Sequence, residues 1–188
     1  MWKILFFLLI GINVAFVLVV LLLVGIPKEV KLPDEGKWSQ EDSSILIQSK
    51  KESINQLIQN YIASQPKNKT IESQVVLDDY IEFYSKIPVF DMELQLAMTF
   101  TPVPLKNGDL LLKQRSMELG KMQLPVSYVL NFIKKENELP EWITIDPKKK
   151  QIYVALTDLE FDQGLMLKVN KFNLKEDDIS FRLVVPSK

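Results

Sequence analysis

The sequence predicts an α+β fold. An N-terminal transmembrane helix is followed by a long amphipathic helix packed on a curved, mostly antiparallel sheet, with a second short helix between strands. Three observations predict it. An almost unbroken apolar run covers Ile4 to Ile26. Apolar residues then recur at helical spacing between Ile47 and Ile62. From Met92 onward the apolar period shortens to two.

The first run, ILFFLLIGINVAFVLVVLLLVGI, has Asn13 as its only polar side chain. Its length gives roughly 35 Å of helix, enough for about 30 Å of hydrocarbon. It exceeds the apolar core of a cleaved signal peptide, and no small-x-small site precedes Pro27. A short positive start, one span and the whole domain behind it predict a signal anchor with a cytoplasmic N-terminus. The expected partition is residues 1–26 as anchor, 27–38 as juxtamembrane linker and 39–188 as an extracytoplasmic domain on the outer face of the cell membrane. The linker, PKEVKLPDEGK up to Lys37, is rich in proline and charge. Asn68-Lys69-Thr70 fits a glycosylation sequon, which has meaning only in a eukaryotic secretory route.

Ser39 and Asp42 resemble a helix start, with a side-chain oxygen for free amides and an acid at the positive end. Ile47, Ile54, Leu57, Ile58, Tyr61 and Ile62 then form one stripe, with Lys50, Lys51, Glu52, Gln56, Gln59 and Asn60 opposite. This predicts one long helix that stops before Pro66. A strand is expected over Val75–Tyr84. A second follows where Met92, Leu94, Leu96, Met98 and Phe100 alternate with Glu93, Gln95, Ala97 and Thr99, ended by Pro102 and Pro104. Asn107-Gly108-Asp109 supplies a turn into a strand over Leu110–Leu119. Gly120 lets the chain bend, and Pro125 opens a short helix whose stripe is Val126, Val129, Leu130 and Ile133. Lys134 and Lys135 suit its negative end. Trp142–Asp146 and Gln151–Leu156 flank a hairpin tip at Pro147–Lys150. Alternation at Leu165–Val169 and Ile179–Val185 predicts the last strands.

Composition bounds the chemistry. The 188 residues carry a net charge of −1, so no broad positive field is available and nucleic-acid binding is not expected. With no histidine and no cysteine, the chain supplies no imidazole base, thiolate nucleophile or disulfide. No phosphate-binding glycine loop or nucleophile elbow is present. The acidic groups are Asp78-Asp79, Asp158-x-Glu160-x-Asp162 and Glu176-Asp177-Asp178. Alternation predicts that Asp158, Glu160 and Asp162 face solvent along a strand. Asp177 and Asp178 read as a turn, and Lys148–Lys150 as a solvated hairpin tip. No catalytic residue, metal site or cofactor is therefore expected.

The segment TFTPVPLKNGDLLLKQRSMELGKMQLPVSYVLNFIKK, followed by ELPEWITI, resembles the YpmS-like family of Gram-positive bacteria. The positions that carry the resemblance are Pro102, Asn107-Gly108-Asp109, Leu119-Gly120, Leu124-Pro125, Leu130 and Leu139-Pro140-x-Trp142. It implies a membrane-anchored protein facing the cell wall and supplies no catalytic residues. The order of elements is also similar to the tubular lipid-binding superfamily, in which a lipid chain lies between a helix and a strongly curved sheet.

The leading functional expectation is a non-catalytic envelope protein that binds a lipid or lipid-linked envelope intermediate in an apolar groove. Met92, Leu94, Leu96, Met98, Phe100, Met117, Met122, Val129, Leu130 and Ile133 would line it, methionine adapting to irregular apolar ligands. The same residues also suffice for a closed core. The alternatives are an interaction or regulatory module for another cell-envelope protein, and a carboxylate-dependent wall hydrolase.

Overall fold

The computed structural model describes residues 43–64, 73–89, 92–136, 139–159, 161 and 164–185. The expected anchor, the linker, Ser39, Asp42 and the sequon lie outside them. Among the described residues no helix is long and apolar enough to cross a membrane.

The fold is α+β; among the described residues every strand pair is antiparallel and there are two α-helices. In chain order the elements are β1 (Ser43–Ser49), α1 (Lys51–Ser64), β2 (Ser73–Leu77), β3 (Ile81–Val89) and β4 (Met92–Pro104). They continue with β5 (Leu110–Leu119), α2 (Val126–Glu136), β6 (Ile143–Asp146), β7 (Gln151–Val154), a 3₁₀ turn at Leu156–Asp158, β8 (Met166–Asn173) and β9 (Asp178–Val185). The strands form a six-stranded sheet, β2-β3-β4-β5-β7-β6, and a three-stranded one, β1-β9-β8. Bulges at Thr99/Phe100 and Val169/Lys171 shift the register, and such insertions bend the strands that carry them.

The core lies where both sheets and α2 converge. β4 contributes Leu96, Met98 and Phe100, and α2 contributes Val129, Leu130 and Ile133. Val169, Leu174 and Ile179 enter from the smaller sheet and its turn. From α1, Ile54 and Ile58 pack against this cluster, whereas Leu57 and Tyr61 are exposed. Its buried stripe is therefore narrower than the spacing suggests.

Four expectations are corrected. The single helix begun near Ser39 is instead β1 followed by α1: Ile45-Leu46-Ile47 pairs with β9, and the helix starts only at Lys51. An apolar run flanked by uncharged polar residues satisfies either period, and the pairing with β9 decides it. The strand over Val75–Tyr84 is two strands, broken by a tight turn at Asp78–Tyr80. Pro102 and Pro104 do not end β4, which runs on opposite Leu112 and Leu110. β3 pairs with β4 only as far as Phe100, and no described strand pairs with that side of β4 beyond it. Two prolines spaced by two residues lack N–H groups on one and the same side, as an edge permits. Finally, Asp158 sits in a 3₁₀ turn instead of a strand, while Glu160 and Asp162 lie outside the described residues.

Candidate functional site

The residues expected to line a groove are largely brought together. Leu96, Met98 and Phe100 are spaced by two and share one face of β4, with 1–2% of their surface exposed. Val129, Leu130 and Ile133 descend on them from α2, and Leu130 is completely enclosed. Leu94 and Met117 pack against the same cluster while half-buried. Met122 does not join: it is exposed in the turn after β5, where it pairs with Leu119. Met92 opens β4 opposite Val89. Eight of the ten residues thus form one continuous apolar interior between α2 and the larger sheet. Their side chains meet one another.

A polar node lies beside that interior and was not legible in the sequence. Asp109, 2% exposed, accepts hydrogen bonds from the Tyr153 hydroxyl, from Asn107 Nδ2 at 2.7 Å and from both the backbone N–H and Oγ1 of Thr157 at 3.0 and 2.8 Å. Asn107 Oδ1 in turn accepts from the Asp109 N–H at 3.1 Å. Burial pushes the Tyr153 phenol well above its usual range, and its bond to Asp109 adds to the effect. With four donors the carboxylate is saturated, so it fixes the β4–β5 turn, β7 and the 3₁₀ turn to one another. Gly108, at φ +93°, brings the turn against β8: Val169 N–H donates to its carbonyl at 2.7 Å, and a Cβ there would meet Lys168 Cβ at 2.7 Å. Asn-Gly-Asp signals the turn; nothing local signals Tyr153 or Thr157.

Asp177, Asp78 and Asp178 have structural partners. Asp177, at φ 52°, accepts the Lys51 N–H at 2.7 Å and so caps α1 from across the chain. Asp78 pairs with Lys51 at 3.7 Å, and Asp178 with Lys171 at 3.0 Å. Among the described residues no three acidic groups come close enough to hold a metal ion. Glu52, Asn55, Gln56, Gln59 and Asn60 line an open depression along α1.

Among the described residues, apolar side chains of β1 and the end of β9 are exposed. Ile45, Leu46 and Ile47 expose 63%, 54% and 40% of their surface, and Val185 exposes 46%. Register places Ile45 opposite Leu183 and Ile47 opposite Phe181, so these side chains share a face; Leu46 lies on the other, opposite Arg182. No charged residue occurs in β1. The strand carries no period-two signal, because its three apolar residues are contiguous.

Among known proteins, the chain is similar to the "Uncharacterized protein YpmS" of Bacillus subtilis (strain 168), with 32% identity over 188 residues, covering 98% of this chain and 97% of that protein. No solved structure matches it. The family model described as "Uncharacterized protein conserved in bacteria (DUF2140)" matches residues 1–185, strand β9 included, and the chain belongs to that family.

Proposed function

We propose that this chain is a membrane-tethered, non-catalytic extracytoplasmic protein of the cell envelope that engages lipid. The observation that carries the reading is where apolar surface is left over. The buried polar groups of the Asp109 node are taken up by one another, whereas Ile45, Leu46, Ile47 and Val185 are left in water. Only sixteen residues, 27–42, separate this strand from the apolar run ending at Ile26. Fully extended, they reach at most about 55 Å, which holds the exposed strand near the bilayer the run would enter. Burying an isoleucine side chain contributes about 1.5–3 kcal/mol, and β1 has no charge to desolvate.

A second reading keeps the ligand inside. The convergence of Leu96, Met98, Phe100, Val129, Leu130 and Ile133 between α2 and the sheet favours it, since a lipid chain lodged there would replace contacts these residues now make with one another.

One experiment addresses both. The full chain is reconstituted in nanodiscs that contain a phospholipid with a diazirine in its acyl chain, irradiated and mapped by peptide mass spectrometry. Adducts on peptides covering 43–49 and 183–185 are expected. Adducts concentrated on 94–100 and 129–133 would move the site to the interior. Adducts confined to residues 1–42 would overturn lipid engagement by the domain.

A further inference from the structure

We propose that two copies of this chain pair strand to strand through the free edge of β1, about a two-fold axis passing at Leu46. The inference concerns the edge of β1, not its faces, and stands independently of the lipid reading.

β1 is the outer strand of β1-β9-β8, and no described strand lies on its other side. Such an edge presents unpaired N–H and C=O groups, and proteins ordinarily blunt it with charge, proline, a bulge or a cover. Residues 43–49, SSILIQS, contain neither charge nor proline nor glycine, and the register with β9 shows no bulge. Six of the seven are exposed. Two other edge strands have backbone partners beyond their own sheet. β2 is covered by α1, whose Asn55 and Gln59 side chains bond to the backbone of Leu77 and Val75. β8 is held by the Gly108 carbonyl.

The occupant follows from the order of residues. Read from either end, β1 has the same pattern about Leu46: Ile45 mirrors Ile47, Ser44 mirrors Gln48, and Ser43 mirrors Ser49. An antiparallel copy centred at Leu46 therefore sets isoleucine against isoleucine twice, leucine against leucine, and uncharged polar residues against one another. Directly opposed pairs of this kind are what stabilise antiparallel strands. A slip of two residues leaves one isoleucine pair in place of two, so the pattern also fixes the register. A two-fold contact of this type is self-complementary and closes on itself. The product is a six-stranded sheet, β8-β9-β1 joined to its symmetry mate, in which the exposed faces of the two β1 strands merge. In this arrangement the two Ser43 residues lie about 20 Å apart, at opposite ends of the paired strands. Segments 27–42 are long enough for both chains to rise from one membrane.

The chain has no cysteine, so single cysteines report the contact directly. Full-length Leu46→Cys, Ser43→Cys and Ser49→Cys are each oxidised mildly in nanodiscs. Leu46→Cys is expected to give a disulfide-linked dimer. Ser43→Cys and Ser49→Cys are expected to stay monomeric alone and to link when mixed. A Leu46→Cys chain that remains monomeric, or equal linking by all three variants alone, overturns the proposal. Native mass spectrometry of the unmodified chain adds a second readout: a dimer is expected, converted to monomer by Leu46→Lys with an unchanged circular dichroism spectrum. A dimer that survives Leu46→Lys, or an unmodified chain that is monomeric, overturns it as well. Disulfide dimers that form in nanodiscs whose lipid adducts stay on residues 1–42 support the pairing and reject the lipid reading alone.

Discussion

Asn55 holds the edge of β2 much as a neighbouring strand would. Its side-chain amide donates to the Leu77 carbonyl at 2.9 Å, and its carbonyl accepts the Leu77 N–H at 2.7 Å. Four residues on, Gln59 donates to the Val75 carbonyl at 3.0 Å. Four helical residues rise about 6 Å, and two strand residues about 6.8 Å, so the two side chains step along the strand with its own repeat. Replacing Asn55 with leucine leaves both backbone groups of buried Leu77 without partners. The expected loss is about 1–3 kcal/mol in urea unfolding, with no change in slope.

The N-terminal end of α1 depends on a residue of the β8–β9 turn. Asp177→Ala removes the acceptor for the Lys51 N–H and is expected to cost about 0.5–2 kcal/mol. Asp177→Asn keeps an acceptor and tolerates the left-handed backbone at φ 52°, so it should cost less. Thermal melts of the two variants rank them.

Alkaline pH should destabilise the chain through Tyr153. Burial and the bond to Asp109 raise its phenol in the folded state above the ordinary value of about 10. A group raised on folding contributes stability that is complete below its unfolded value and is lost as pH rises from there toward the folded one. Unfolding free energy is therefore expected to fall above about pH 10, and Tyr153→Phe should flatten that fall while lowering stability at neutral pH. Urea titrations between pH 8 and 11 test both.

Gly108→Ala meets two obstacles at once. Its backbone sits at φ +93°, and the added methyl would lie 2.7 Å from the first two side-chain carbons of Lys168. The loss should exceed the ~1 kcal/mol of an ordinary glycine replacement at positive φ. It should also loosen β8 from the turn, which hydrogen exchange at the Val169 amide would register.

Core and surface leucines should separate clearly. Leu130, fully enclosed, is expected to lose about 2–5 kcal/mol on change to alanine, whereas Leu46, more than half exposed, should change by less than about 0.5 kcal/mol in the monomer. Comparable losses at both would mean that Leu46 is covered.

Much of the fold was legible because most strands carry their signal locally. Leu96, Met98 and Phe100 alternate cleanly, Asn-Gly-Asp marks its turn, and Pro125 with Lys134 and Lys135 frames α2. Those apolar residues read equally well as core or groove, because burial depends on what sits opposite them. β1 and the start of α1 were not legible for a different reason. The partner of Ile47 is Phe181 and the cap of Lys51 is Asp177, so neither boundary is written near its own residues. The Asp109 node is missed likewise, since Asn107 and Tyr153 stand 46 positions apart.

That same arrangement sets an order on how the chain can finish folding. Lys51 and its cap are separated by 126 residues, and among the described strands of its own chain β1 is laddered to β9, next to the end of the described chain. A polypeptide made from its N-terminus offers Ile45, Leu46 and Ile47 to its surroundings long before their partner has been synthesised. Contacts of such long sequence separation are the slow ones to form. A chain cut after Leu174 would accordingly fail at its beginning as well as its end: β1 would be an unpaired apolar strand, and α1 would fray at its first turn. The first strand described waits for the last.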